Sequence, residues 1–329
     1  HLRVSEILER TRHAFTYYLR RPLSHSERPL PRSRRTHQTP HLIMEYAVTK
    51  EELMNPLLAE TLHALAECYS ALNMELYVVG AVARDLALRL LQINDPYRGT
   101  LDLDVAVLLA DWEQYQQLTE TLLNHQFVKA AEKQRFYYLG TTGNYRYMVD
   151  IVPFGSIAHQ EFLAWPPDGN PIMSVRCFED VMAHADTVSV DNTFTFHLAS
   201  LSGQFLIKLN TWSDRHSHTK KDASDMVHIL RNVYMAYALS RQVLPPEINI
   251  EASEFDIVVA GAAWIASDLR MILSKEHRRY YATMLQNEVS QEENSALIND
   301  LLDASDAQQY TLFRRAIGRM AQLLSSDPY

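Results

Sequence analysis

The chain has 329 residues, 47% of them hydrophobic and 22% charged, with a formal net charge of −9 at pH 7. That is enough chain for a substantial core and two domains, in the proportions of an ordinary globular protein. No apolar run is long enough to cross a bilayer, and two distant cysteines, Cys68 and Cys177, exclude a disulfide framework or thiolate zinc site and fit a reducing cytoplasm.

Charge is distributed unevenly. Residues 1–43 hold nine Arg, no Lys and three Glu, a net of +6, so the remainder carries −15. Arg-only basicity broken by Pro and His, as in RPLPRSRRTHQTP, fits a nucleic-acid-binding arm or a non-native, upstream-translated leader ahead of a start at Met44. The leader is the expectation adopted here. The acidic body argues against indiscriminate nucleic-acid binding and leaves room for a local basic groove.

In chain order, residues 49–73 carry apolar side chains at helical spacing. MELYVVG then reads as a short buried strand ending at Gly80. AVARDLALRLLQI returns to the helical period, with Val82, Leu86, Leu90 and Ile93 on one stripe. NDPYRG is a loop by its turn residues, and TLDLDVAVLL is the next strand. Residues 111–126 form a helix through Trp112, Tyr115, Leu118 and Leu122. RFYYLG and YRYMVDIVPF flank TTGN as a hairpin, WPPDGNP is a rigid loop, and DTVSV and TFTFHL make a second hairpin across Asp191-Asn192. From about Ser202 the chain is mostly helical, with weak boundaries near 240–252. A mixed α/β domain over 44–200 and a helical domain over 201–329 follow.

LDLDVAV is the most informative stretch. Alternation puts Leu103, Val105 and Val107 on one face of the strand and Asp102 and Asp104 on the other, about 6.5–7 Å apart. Two like charges that close need a basic side chain, a proton or a metal ion between them. Divalent cations bridging a triphosphate would answer that need. In YRYMVDIVP, Asp150 interrupts an apolar strand and shares a face with Met148 and Val152.

Gly80 joins a strand to a helix whose unpaired N–H groups suit a phosphate. Arg84 sits in that first turn, where the dipole disfavours a cation. Either an anionic ligand or pairing with Asp85 or Asp102 would remove the conflict. Lys208 lies in an apolar helical run, as a snorkelling side chain or a partner for phosphate. Asp222 and Asp225 share a helix face, as functional acids or as a solvated face beside Lys220 and Lys221. His216 and His218 read as loop residues. The sequence holds no G-x-x-x-x-G-K-[ST], G-x-G-x-x-G, G-x-S-x-G or H-E-x-x-H motif.

The order of a glycine opening a helix, D-x-D on a strand and a third Asp on a later strand resembles the DNA polymerase β-like nucleotidyltransferase superfamily. Within it, the chain is similar to the AbiEii/AbiGii toxin-type nucleotidyltransferases. The matching pieces are VVGAVARD, RGTLDLDVAVLL, VDIVPFG and LSGQFLIKLNTWSDR…KKDASDMVHIL, about half the chain. The superfamily has Gly-Gly or Gly-Ser where this chain has Gly80-Ala81. VVGAVARDLALR is also similar to the G-G-x-V-R-D signature of CCA-adding enzymes and poly(A) polymerases, a group that the later Lys and KKD block does not fit.

The resemblance implies an α+β fold, with a polymerase β-like mixed-sheet domain followed by a helical C-terminal domain. It implies transfer of a nucleoside monophosphate from an NTP with Mg2+ or Mn2+. The implied acceptor is the 3′ end of tRNA, as in a cytoplasmic toxin of a toxin–antitoxin or phage-defence system with a cognate antitoxin. Carried over residue by residue, Asp102 and Asp104 ligate metal, and Asp150 completes the site or acts as base. Gly80, Ala81, Arg84 and Lys208 receive phosphates, and Asp222 supports Lys208 or the nucleotide. A small-molecule, antibiotic-type acceptor would use the same catalytic residues, and a non-catalytic binding module on the same scaffold is the remaining alternative.

Overall fold

The structure, a computed structural model, describes residues 43–53, 55–93, 102–143, 146–241, 244–304 and 310–326. The Arg-rich stretch up to residue 42 and the NDPYRG loop lie outside the described residues. What is described falls into two compact units, one of residues 43–87 and 102–215, the other of residues 88–93 and 216–326. The helix carrying Lys208 therefore goes with the sheet, and the division follows Arg215 where the sequence suggested Ser200.

The first unit runs β1 (Glu45–Val48), α1 (Pro56–Ala71), β2 (Tyr77–Val79), α2 (Gly80–Leu90), β3 (Asp102–Leu108), α3 (Trp112–Leu123), β4 (Phe127–Lys129), β5 (Arg135–Tyr138) and β6 (Tyr147–Phe154). It continues with β7 (Phe162–Ala164), β8 (Ile172–Ser174), α4 (Phe178–Met182), β9 (Asp186–Val190), β10 (Phe194–Leu198) and α5 (Leu201–Arg215). The last turn of α2 belongs to the second unit. Eight strands form one mixed sheet in the order β1-β9-β10-β2-β3-β6-β5-β4, with β7 and β8 paired apart. The pairs β1/β9, β10/β2 and β3/β6 are parallel and the rest antiparallel.

Local chemistry sets the element ends. The single helix expected over 49–73 is broken, because Pro56 cannot continue a helix but suits its first turn. Asn55 caps α1 by accepting from Leu58 N at 2.8 Å, and Lys50–Glu52 form a separate 3-10 turn. Asp111 caps α3 by accepting from Gln114 N at 2.9 Å. Asp191 and Asn192, with φ of 49° and 55°, supply the paired left-handed residues that a two-residue hairpin needs. On β3, Leu103, Val105 and Val107 are fully buried together with Val149, Ile151 and Phe136 of the neighbouring strands. This makes the core face of the sheet.

The second unit holds α6 (Lys221–Arg241), α7 (Ile257–Ile272), α8 (Lys275–Ser290), α9 (Ala296–Asp303) and α10 (Tyr310–Ser325). α7 packs against α6 and α10, and α10 against α8. Two ion pairs tie this bundle together, Arg270 with Glu247 at 2.7 Å and Arg241 with Asp268 at 2.6 Å. Among the described residues no helix is long and apolar enough to cross a membrane.

Candidate active site

Asp102 and Asp104 project from the half-exposed face of β3, opposite the buried Leu103 and Val105. β3 pairs with β6 in a register that sets Asp104 beside Asp150 and Asp102 beside Met148. Register partners share a face and adjacent strands lie about 4.8 Å apart, so all three acids occupy one patch at the middle of the sheet.

Gly80 closes this patch from the β2 side. Its φ is +74°, and a Cβ added there would lie 2.0 Å from Asp104 Oδ2 and 2.8 Å from the Asp104 Cβ. The Asp104 carboxylate therefore rests against the bare Cα at the start of α2, where only glycine leaves room. Ala81 follows, half-exposed.

A residue absent from the sequence-based site completes the patch. β5 lies antiparallel to β6 with Arg135 opposite Asp150. Arg135 donates through Nε and Nη2 to both Asp150 oxygens at 2.8 and 2.9 Å, and through Nη1 to Glu132 at 2.9 Å. The bonds to Asp150 raise the guanidinium pKa above its usual range. The signal was present in the sequence. Closing the predicted hairpin on TTGN pairs residue 140 with 145, and counting back five positions sets Arg135 against Asp150.

Among the described residues no three His, Cys, Asp or Glu side chains form a group that could hold a metal ion. The donor chemistry explains how far the acids fit one. Asp102 and Asp104 offer carboxylate oxygens suited to a hard divalent cation. Asp150 has both oxygens engaged by Arg135, so it fits a charge-compensated hydrogen-bond acceptor better than a metal ligand.

The remaining predicted residues have the following settings. Arg84 is buried, and its Nε and Nη2 meet Asp85 Oδ1 at 2.8 and 2.7 Å. Pairing with Asp85 therefore offsets part of its conflict with the helix dipole. Lys208 is half-buried on α5, on a helix whose other residues from 201 to 210 are all buried. Asp222 lies in the first turn of α6 and belongs to the helical unit, with Asp225 one turn on. Both are buried, which overturns the solvated acidic face. Lys220 instead pairs with the buried Asp300, and His216 Nδ1 lies 3.9 Å from the same carboxyl group.

No family model matches the chain, and no curated protein matches it. Among solved structures it is similar to the Thermotoga maritima CCA-adding enzyme complexed with tRNA, at 11% identity over 84% of this chain and 82% of that one, with a TM-score of 0.29. It is also similar to a CCA-adding enzyme in complex with ATP, at 12% identity over 84% and 83% of the two chains, again with a TM-score of 0.29. Likeness at that level carries no weight for activity.

Proposed function

We propose that the chain is a divalent-cation-dependent nucleotidyltransferase that moves a nucleoside monophosphate from an NTP to a hydroxyl acceptor. The observation that carries the reading is the gathering of Asp102, Asp104 and Asp150 on one sheet face, with the Asp104 carboxylate against Gly80 at a helix start. Asp102 and Asp104 would hold the cation. When bound, Mg2+ or Mn2+ supplies neutralisation of triphosphate charge.

The other residues take roles that their surroundings support. The backbone N–H groups at Gly80 and Ala81 face the phosphates from the positive end of α2. Lys208, half-buried on α5 of the same unit, adds a cation to the same chemistry. Arg84, bound to Asp85, organises the first turn of α2 and leaves phosphate contact to its neighbours. Asp150 accepts the proton of the attacking hydroxyl once that hydroxyl takes the place of one Arg135 contact.

The resemblance of VVGAVARD and RGTLDLDVAVLL to the toxin-type enzymes implies the 3′ end of tRNA as the acceptor. It likewise implies a toxin paired with a cognate antitoxin. The test is incubation with each labelled NTP, Mg2+ and total RNA. Label on a tRNA-sized band that is lost in Asp104→Asn supports the reading. Label on no RNA, or label retained in Asp104→Asn, overturns it.

A further inference from the structure

The acids occupy one face of the sheet, and a separate cleft opens on the other. Lys129 of β4 pairs in register with Phe136, and Phe136 with Val149, which places Lys129 on the core face, away from Asp150. Helix α3 covers this end of that face. Between them lies a cleft of about 330 Å³ whose lining includes Trp112, Tyr115, Gln116, Lys129, Lys133 and Trp165. That volume is at the low end for small-molecule sites and far too small for a folded partner or a nucleic-acid duplex.

Its walls are aromatic and fixed. The Trp112 and Trp165 ring centroids lie 5.1 Å apart, and Tyr115 meets Trp165 edge-on at 5.3 Å. Trp165 is buried and donates its indole N–H to Met173 Sδ at 3.4 Å, whereas Trp112 is half-exposed and offers its ring to the cleft. The WPPDGNP loop that carries Trp165 is clasped by Lys133, whose ammonium donates to Asp168 and to the Asn170 carbonyl. Lys133 is therefore a structural cation.

Lys129 is placed differently. Its ammonium sits 3.9 Å from the centroid of the Phe136 ring and 5.6 Å from that of Tyr115, and it donates to the Lys133 carbonyl. No carboxylate lines the cleft. Lys129 keeps exposed surface, and partial desolvation of its amine lowers the pKa to about 8, against a smaller opposing pull from Asp150. An anion entering the cleft would offset that desolvation.

We infer that this cleft binds a small anion of the nucleoside monophosphate class, its planar base stacked on Trp112 and its phosphate on Lys129. An aromatic face accepts any nucleobase, and the ammonium selects for the phosphate. The inference stands whether or not the acid patch transfers nucleotides.

Calorimetry of the full chain in EDTA, with adenosine 5′-monophosphate and adenosine as probes, tests it. The monophosphate should bind about ten-fold more tightly than adenosine, the scale of one charge-assisted contact. Lys129→Gln should bring the two to the same affinity, while Lys129→Arg should keep the difference. Asp104→Asn should leave monophosphate binding unchanged. Absence of heat at millimolar monophosphate, undiminished binding in a folded Lys129→Gln, or loss in Asp104→Asn would each overturn the assignment.

Discussion

Replacing Gly80 by alanine separates two costs that the structure lets one count. The first is conformational, since φ of +74° costs an L-residue about 1 kcal/mol or somewhat more. The second is steric. The new methyl would sit 2.0 Å from Asp104 Oδ2 and 2.8 Å from the Asp104 Cβ and Cγ, where ordinary contact begins at 3.4 Å. Rotating the carboxylate relieves only the first of these contacts, so the β2–α2 junction or β3 itself must shift. Such overpacking costs about 1–3 kcal/mol, and the sum is a loss of about 2–4 kcal/mol.

Gly169→Ala is the control, because its φ is +76° and nothing lies within 4 Å of the added carbon. It should lose only the conformational part. Thermal unfolding followed by circular dichroism reads the difference, at about 2–4 °C per kcal/mol for a unit of this size. Asp104→Ala in the Gly80→Ala background should recover part of the loss, a non-additive pair as expected of groups in contact. If Gly80→Ala proves no more costly than Gly169→Ala, the close approach of Asp104 to the helix start is wrong.

Three further outcomes follow from the geometry. Arg135→Ala leaves the largely buried Asp150 carboxylate without its bidentate partner and should lower unfolding stability by about 2 kcal/mol, measured by urea titration; no loss would make the pair energetically silent. His197, on β10 against the Tyr77 ring, has its pKa lowered from 6.5, by burial that outweighs Glu75. Its neutral form is favoured in the fold, so the unfolded chain protonates first on acidification. Stability is complete above 6.5 and falls below it, and His197→Gln should flatten the difference in melting temperature between about pH 7.5 and about pH 5.5. Lys208→Ala should raise the barrier to nucleotide transfer by about 2–4 kcal/mol if it meets the triphosphate, and an unchanged kcat/KM would remove it from the site.

The parts of this fold that were legible in the sequence share one property, that local pattern decides them. Alternation in LDLDVAV separated the acids from the core face, Gly80 marked the strand-to-helix turn, and Asp191-Asn192 marked a hairpin. Strands β1, β4, β7 and β8 have three or four residues each, too few for a period to emerge, and only pairing holds them. The five-residue α4 escaped for the same reason. Helix α5 was legible as a helix, but its partner was not: with polar residues such as Ser202, Gln204 and Asn210 buried among its apolar ones, its pattern gives no sign of which unit it joins. The site divides likewise. Arg135 was within reach of hairpin arithmetic, whereas the choice of Asp85 by Arg84 turns on a rotamer that spacing does not encode.

The strand order has a consequence for how the protein is made. The acid-bearing strands are near neighbours in sequence, while β1 pairs with β9 across the whole unit; even the adjoining bond from Met44 N to Asp186 spans 142 residues. Closing that loop costs about 1 kcal/mol more than closing β3 on β6, a span one-third as long. A ribosome adding 5–20 residues per second delivers β9 about 7–28 seconds after β1. Through that interval β1 waits as an unpaired strand, kept from sticky contacts by its four-residue length and by Glu45. The acid-bearing half of the sheet can thus take shape on the emerging chain before its far edge is sealed.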